Sequence, residues 1–232
     1  MRQHTAPLLF LLLFATRAFA EDFASEARRQ CTEGSPDQAI VGCTTLIQSI
    51  ADSPTDRAVS FNNRGIAYAK KRDLPRAIAD FSEAIRLNGD FALAFNNRAT
   101  AYRSSGRDDL ALADFTEAIR LSPDYADAYY GRAGVKAKKG DLDGAIADYS
   151  AAIRLKPGNN TAYVDRGAAY AKKGLFEQSI ADFDTGIRLD PNDAIAFRNR
   201  GYVKQMNGDI AGGNSDLLRA RQLGSPGATN KP

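Results

Sequence analysis

The chain has 232 residues, with 31 lysines and arginines against 28 acids, one histidine, two cysteines and no tryptophan. A formal net charge of +3 is too small for a protein whose affinity rests on pairing many phosphates, so no nucleic-acid partner is expected. The lone histidine, His4, sits near the N-terminus; the rest of the chain cannot build a Ser-His-Asp or Cys-His arrangement or an imidazole zinc site, and neither metal nor cofactor is expected.

The first element reads as a targeting segment. Arg2 gives a positive start, Leu8–Ala15 an apolar run, and Ala18-Phe19-Ala20 a small-x-small cleavage site. The run is too short to span a bilayer, so no stable membrane insertion is expected, with a retained anchor as the alternative. The expected mature chain is 21–232, cut after Ala20 and exported to a periplasmic or secreted location. No cysteine follows the cut, which argues against a lipoprotein. Losing Arg2 and Arg17 leaves 29 cations against 28 acids, a net charge of +1.

From residue 20 onward the sequence repeats every 34 residues. A degenerate first unit covers 20–53, with Phe23, Ala27, Gly34, Ala39, Cys43 and Leu46 at slots 4, 8, 15, 20, 24 and 27. Four residues, Pro54–Arg57, separate it from units 58–91, 92–125, 126–159 and 160–193, followed by a capping unit, 194–223. The tail, 224–232, is rich in Gly, Pro and small polar residues and is expected to be disordered. Slot 4 reads Phe61, Phe95, Tyr129, Tyr163, Phe197, and slot 24 reads Phe81, Phe115, Tyr149, Phe183, Leu217. Slot 20 is small (Ala77, Ala111, Ala145, Ser179, Gly213), and three units close with Pro123, Pro157 and Pro191.

This pattern resembles the tetratricopeptide repeat. The resemblance implies an all-α fold: a right-handed superhelical solenoid of about six antiparallel helix hairpins, with a concave groove that takes a protein or extended peptide. Slots 1–14 and 18–31 read as the two helices of each hairpin, with Gly106, Gly140, Gly174 and Gly208 at slot 15 to end the first. Small residues at slot 8 (Gly65, Ala99, Ala133, Gly167, Gly201) let the helices approach while the aromatics of slots 4 and 24 fill the gaps. Isoleucine or leucine at slots 21 and 28 forms a stripe assigned to the seam with the next hairpin. The last unit has Asn214 and Arg221 there, a polar face suited to a terminal repeat. Gly212-Gly213 is expected to weaken the last helix.

Two periodic columns carry charge or amides. Slot 7 is Arg64, Arg98, Arg132, Arg166, Arg200; slot 23 is Asp80, Asp114, Asp148, Asp182, Asp216. Their co-occurrence favours structural ion pairs between the two helices, against an arginine row that grips an acidic ligand. Slot 6 is Asn63, Asn97, Gly131, Asp165, Asn199. An amide can both donate to and accept from a peptide backbone, so this row is a candidate partner-binding face, interrupted at Gly131 and altered at Asp165. A solvated helix face is the alternative. Slots 5 and 9, expected on the same concave side, vary freely: Asn62, Asn96, Tyr130, Val164 and Arg198, then Ile66, Thr100, Gly134, Ala168 and Tyr202. Tyr130, Arg198 and Tyr202 therefore join the candidate binding set. Slot 5 has no lysine of the kind that clamps a C-terminal carboxylate in chaperone-binding relatives. The pairs Lys70-Lys71, Lys138-Lys139 and Lys172-Lys173 suit the negative end of a helix dipole, or a basic docking stripe.

Cys31 and Cys43 share the first unit, and an isolated pair in an oxidising compartment forms a disulfide. Two buried thiols or a redox role are the alternatives; the spacing is not Cys-x-x-Cys. Slots 12 and 24 are poorly opposed in the repeat, so the first helix is expected to end near Arg29 or Gln30. Acids that recur with the repeat read as structural, so the expected function is a non-enzymatic protein–protein interaction scaffold of the cell envelope, of unknown oligomeric state. The alternative is an accessory protein of envelope assembly or polysaccharide export that binds glycan or a pathway enzyme.

Overall fold

The computed structural model describes residues 24–49 and 53–224; the cleavage site and the tail after Gly224 lie outside the described residues. Among the described residues there are twelve helices and no strand. Contacts divide the chain at Arg107 and Asp108 into two units, each taken by itself below. The first holds α1 (through 24–33), α2 (Pro36–Gln48), α3 (Pro54–Lys70), α4 (Leu74–Leu87) and α5 (Ala92–Ser104). The second holds α6 (Asp108–Leu121), α7 (Ala126–Lys139), α8 (Leu142–Leu155), α9 (Asn160–Lys172), α10 (Phe176–Leu189), α11 (Ala194–Met206) and α12 (Ile210–Gly224).

The helix starts follow from capping chemistry. Ser35 and Gln38 form a reciprocal capping box at α2, with Pro36 at its first position. Asp73 and Asp141, at slot 16, accept from Arg76 and Gly144 backbone N–H groups, so second helices begin at slot 17, one residue before the expected start. Pro54–Arg57 is no linker: Ser53 caps it and it forms the first turn of α3. At the other ends, slot 15 takes a left-handed backbone, with Gly140 at φ 86°, and Asp141 N–H closes back onto Lys136 carbonyl at 3.0 Å. Arg72 holds that slot in α3–α4 and adopts φ 61° without being glycine.

Four slot-24 rings, Phe81, Phe115, Tyr149 and Phe183, are buried, as are the slot-20 residues one turn before them. A Cβ on Gly65 would lie 2.6 Å from the Phe81 ring, which explains the small slot 8. Slot 4 has a different job from the one expected. Its rings are only half-buried and lie 5.3 to 5.8 Å beneath the slot-7 arginines. The seam stripe packs where expected, Ile180 and Ile187 of α10 clustering with Ala196 and Val203 of α11. Asn214 and Arg221 are exposed, yet Gly213 is more than a weak point. A Cβ there would meet Gly201 carbonyl oxygen at 2.7 Å, so glycine lets α12 lie against α11.

Hairpin α1–α2 has no slot-24 ring. Its core is Ala27, Cys31, Cys43 and Leu46, and Cys31 and Cys43 are bonded with Cα atoms 4.7 Å apart. Contrary to expectation, α1 does not stop near Arg29 or Gln30 but continues through residue 33. Gly42 makes this possible: a Cβ there would meet Ala27 carbonyl oxygen at 2.5 Å and Cys31 N at 2.8 Å. Backbone therefore touches backbone one residue before Cys43, and the sulfurs meet without any shortening of α1.

Candidate interaction surface

Charge is built into this surface first as a fastening. Arg64, Arg132, Arg166 and Arg200 each use Nε and Nη2 on both oxygens of Asp80, Asp148, Asp182 and Asp216, at 2.6 to 2.9 Å. The remaining Nη1 donates to slot 25 of the preceding hairpin: Thr44, Thr116, Ser150 and Asp184, with Arg98 donating likewise to Ser82. Hydrogen bonds donated to the aspartates hold these guanidinium groups above their ordinary pKa despite burial. Burial pushes Asp216 up, but hydrogen bonds from Arg200 and Lys204 outweigh it and the net direction is down. This arginine column thus spends its donors inside the stack, on its own hairpin and the one before.

Lysines do the same across hairpins. Lys71 bonds Asp37, Lys139 bonds Asp109 at 2.6 Å, Lys173 bonds Asp143, and Lys138 bonds Asp108 at 2.6 Å. At least one member of every pair is therefore a clasp to the helix start of the previous hairpin, a role that the sequence reading missed. The signal was there: an aspartate at slot 18 in each of those preceding units.

Part of slots 5 and 6 is closed by neighbouring hairpins. Asn62 is 1% exposed and Val164 is buried, because slot 5 faces the adjacent hairpin within each unit, and Asn96 is buried too. Asn97 Nδ2 donates to Asn62 Oδ1 at 2.9 Å, and Tyr130 Oη donates to Asp165 at 2.7 Å. In both places slot 5 of one hairpin ties to slot 6 of the next. Gly131 breaks the row for a packing reason: a Cβ there would lie 2.4 Å from the Phe115 ring. Asn199 is half-buried, while Arg198 and Tyr202 are exposed and line a hollow of about 330 Å³ with Leu217 and Arg221.

In the first unit, three adjoining hollows of about 410, 250 and 330 Å³ run past α1, α3 and α5. Cys31, Thr32 and Asn63 are shared by the first two, and Ile66 and Lys70 by the second two. Leu46 and Val59 supply apolar wall at one end, Leu74 and Phe81 at the other. Asn63, its amide 4.0 Å from Cys31 Sγ, and Asn97 are thus brought onto one furrow. Tyr130, Asp165, Asn199, Arg198 and Tyr202 belong to the second unit.

Comparison with known proteins agrees with this architecture. Two family models, both described as tetratricopeptide repeat, match residues 62–125 and 97–160 and residues 161–193. No curated protein matches the chain. Among solved structures, YrrB, described as a TPR protein with an unusual peptide-binding site, is 21% identical over 80% of this chain and 93% of its own, with a TM-score of 0.66. MamA from Desulfovibrio magneticus RS-1 is 18% identical over 75% and 98%, with a TM-score of 0.69. The Pseudomonas aeruginosa pilF product is 14% identical over 90% and 92%, with a TM-score of 0.74. At these identities the likeness is one of fold.

Proposed function

The chain belongs to the tetratricopeptide repeat family, and from that premise we propose a non-enzymatic scaffold whose first-unit furrow takes an extended segment of a partner protein. The furrow itself carries this reading. It alternates amides and hydroxyls (Asn63, Thr32, Asn97, Thr100) with apolar wall, the chemistry that suits an extended backbone with occasional apolar side chains. YrrB, with the same fold, is described as having a peptide-binding site. The test is capture from envelope extract by wild type and by Asn63→Ala/Asn97→Ala, with helicity checked by circular dichroism. Partners lost from the double variant support the furrow; an unchanged partner set removes it.

The working location is the bacterial envelope. No helix among the described residues is long and apolar enough to cross a membrane, and the segment before residue 21 reads as a cleaved export signal. In that oxidising setting the Cys31–Cys43 bond stands in for the ring missing from hairpin α1–α2. Intact mass of the exported protein reads both points at once, with 21–232 less two hydrogens expected. A mass retaining the first twenty residues, or two free thiols, refutes the corresponding point. Closing a loop of this size contributes about 3 kcal/mol, so Cys31→Ser/Cys43→Ser loses about that much in urea unfolding.

A further inference from the structure

The furrow contains one cation that the stack does not use. Lys138, at slot 13, bonds Asp108 at slot 17 of the preceding unit. Lys70 occupies the same slot 13, but the preceding unit has Pro36 at slot 17, and Lys70 has no carboxylate partner among the described residues. Its neighbour Lys71 already takes Asp37. Lys70 is exposed and stands where two hollows meet, beside Ile66 and with Leu74, Phe81 and Asn97 lining the space beyond. The other charged groups on the furrow differ: Asp56 accepts from Ser53 Oγ at 2.7 Å in the cap of α3, and Arg28 is engaged elsewhere.

We propose that Lys70 selects the bound segment by charge. The occupant is an extended peptide with an Asp or Glu that reaches Lys70 Nζ, next to an apolar side chain that enters the hollow walled by Ile66, Leu74 and Phe81. Charge selects the ligand and the apolar hollow sets its register, since a flexible ammonium with three donors can donate to a carboxylate from several angles. The inference rests on the groove reading above and adds the chemistry of its ligand.

Fluorescein-labelled dodecapeptide pools test it by fluorescence anisotropy: one with Glu-Leu fixed at the centre, one with Lys-Leu, the rest randomised. Wild type binds the Glu-Leu pool about tenfold tighter, a preference that shrinks as salt rises. Lys70→Ala removes the preference, and Lys70→Glu reverses it; both are surface changes whose helicity is checked in parallel. If wild type and Lys70→Glu bind both pools alike, with Asn63→Ala/Asn97→Ala abolishing that binding, the charge selection is wrong and the groove reading survives. If no pool binds, or the double variant binds like wild type, both fall.

Discussion

Replacing Asp182 by Ala lowers the unfolding free energy of the second unit by about 3–5 kcal/mol, the loss typical when one partner of a buried ion pair is removed. Arg166 and Asp182 side chains are 18% and 9% exposed, and the pair is bidentate. Without the carboxylate, the guanidinium keeps the neutral Ser150 hydroxyl and the Tyr163 and Tyr170 rings, none of which cancels its charge. Asp216→Ala should be milder, because Arg200 retains Asp184, a charged partner at 2.6 Å. Urea unfolding followed by circular dichroism reads the difference without screening the charges. Equal midpoints for the two variants would mean that the slot-25 contact contributes nothing. The same site sets a pH dependence. Asp216 is depressed in the fold, so its contribution is complete above the unfolded value of about 3.9 and is lost as pH falls through the lowered folded value. Asp216→Asn should flatten that part of the acid limb.

Why some of this could be read from the residues and some could not comes down to what repeats. Slot 24 announces itself because four of the repeats bury a ring of similar size there, and slot 20 because each of those rings needs a small neighbour. The arginine and aspartate columns recur together, so their pairing follows from two identities alone. Slot 25 was invisible for the opposite reason. Thr44, Ser82, Thr116, Ser150 and Asp184 share only an oxygen at a suitable distance, and a column defined by one acceptor atom looks variable. Slot 5 misled in the same way. Asn62 and Val164 differ in polarity but both are buried, one by an amide–amide hydrogen bond and one by apolar packing. Variation there reflects alternative ways of closing a seam, which a single sequence cannot distinguish from a free surface. The furrow is a third case. One of its walls is α1, and the position of α1 on α2 comes from Gly42 and the paired cysteines in the least regular unit of the array.

Phe183→Ala is the packing counterpart of the Asp182 variant, and it should cost about 3–5 kcal/mol. Phe183 is fully buried, and its ring lies 3.1 Å from where a Cβ on Gly167 would sit, so α9 and α10 close directly around it. It also clusters with Val164, Ala196 and Val203, which makes it part of the interface with α11 as well as the core of its own hairpin. In a stack whose stability is a sum of repeat and neighbour terms, one truncation then subtracts from both. The expected result is two-phase urea unfolding, with α9–α12 losing amide protection first in hydrogen exchange while α7–α8 holds. Phe197→Ala provides the contrast: its ring is half-buried under Arg200 at 5.3 Å, so its loss should be smaller and leave unfolding in one phase. If the two variants proved equally costly, the slot-4 rings would be core after all, and the division of labour between a buried ring and an arginine shelf would have to be abandoned.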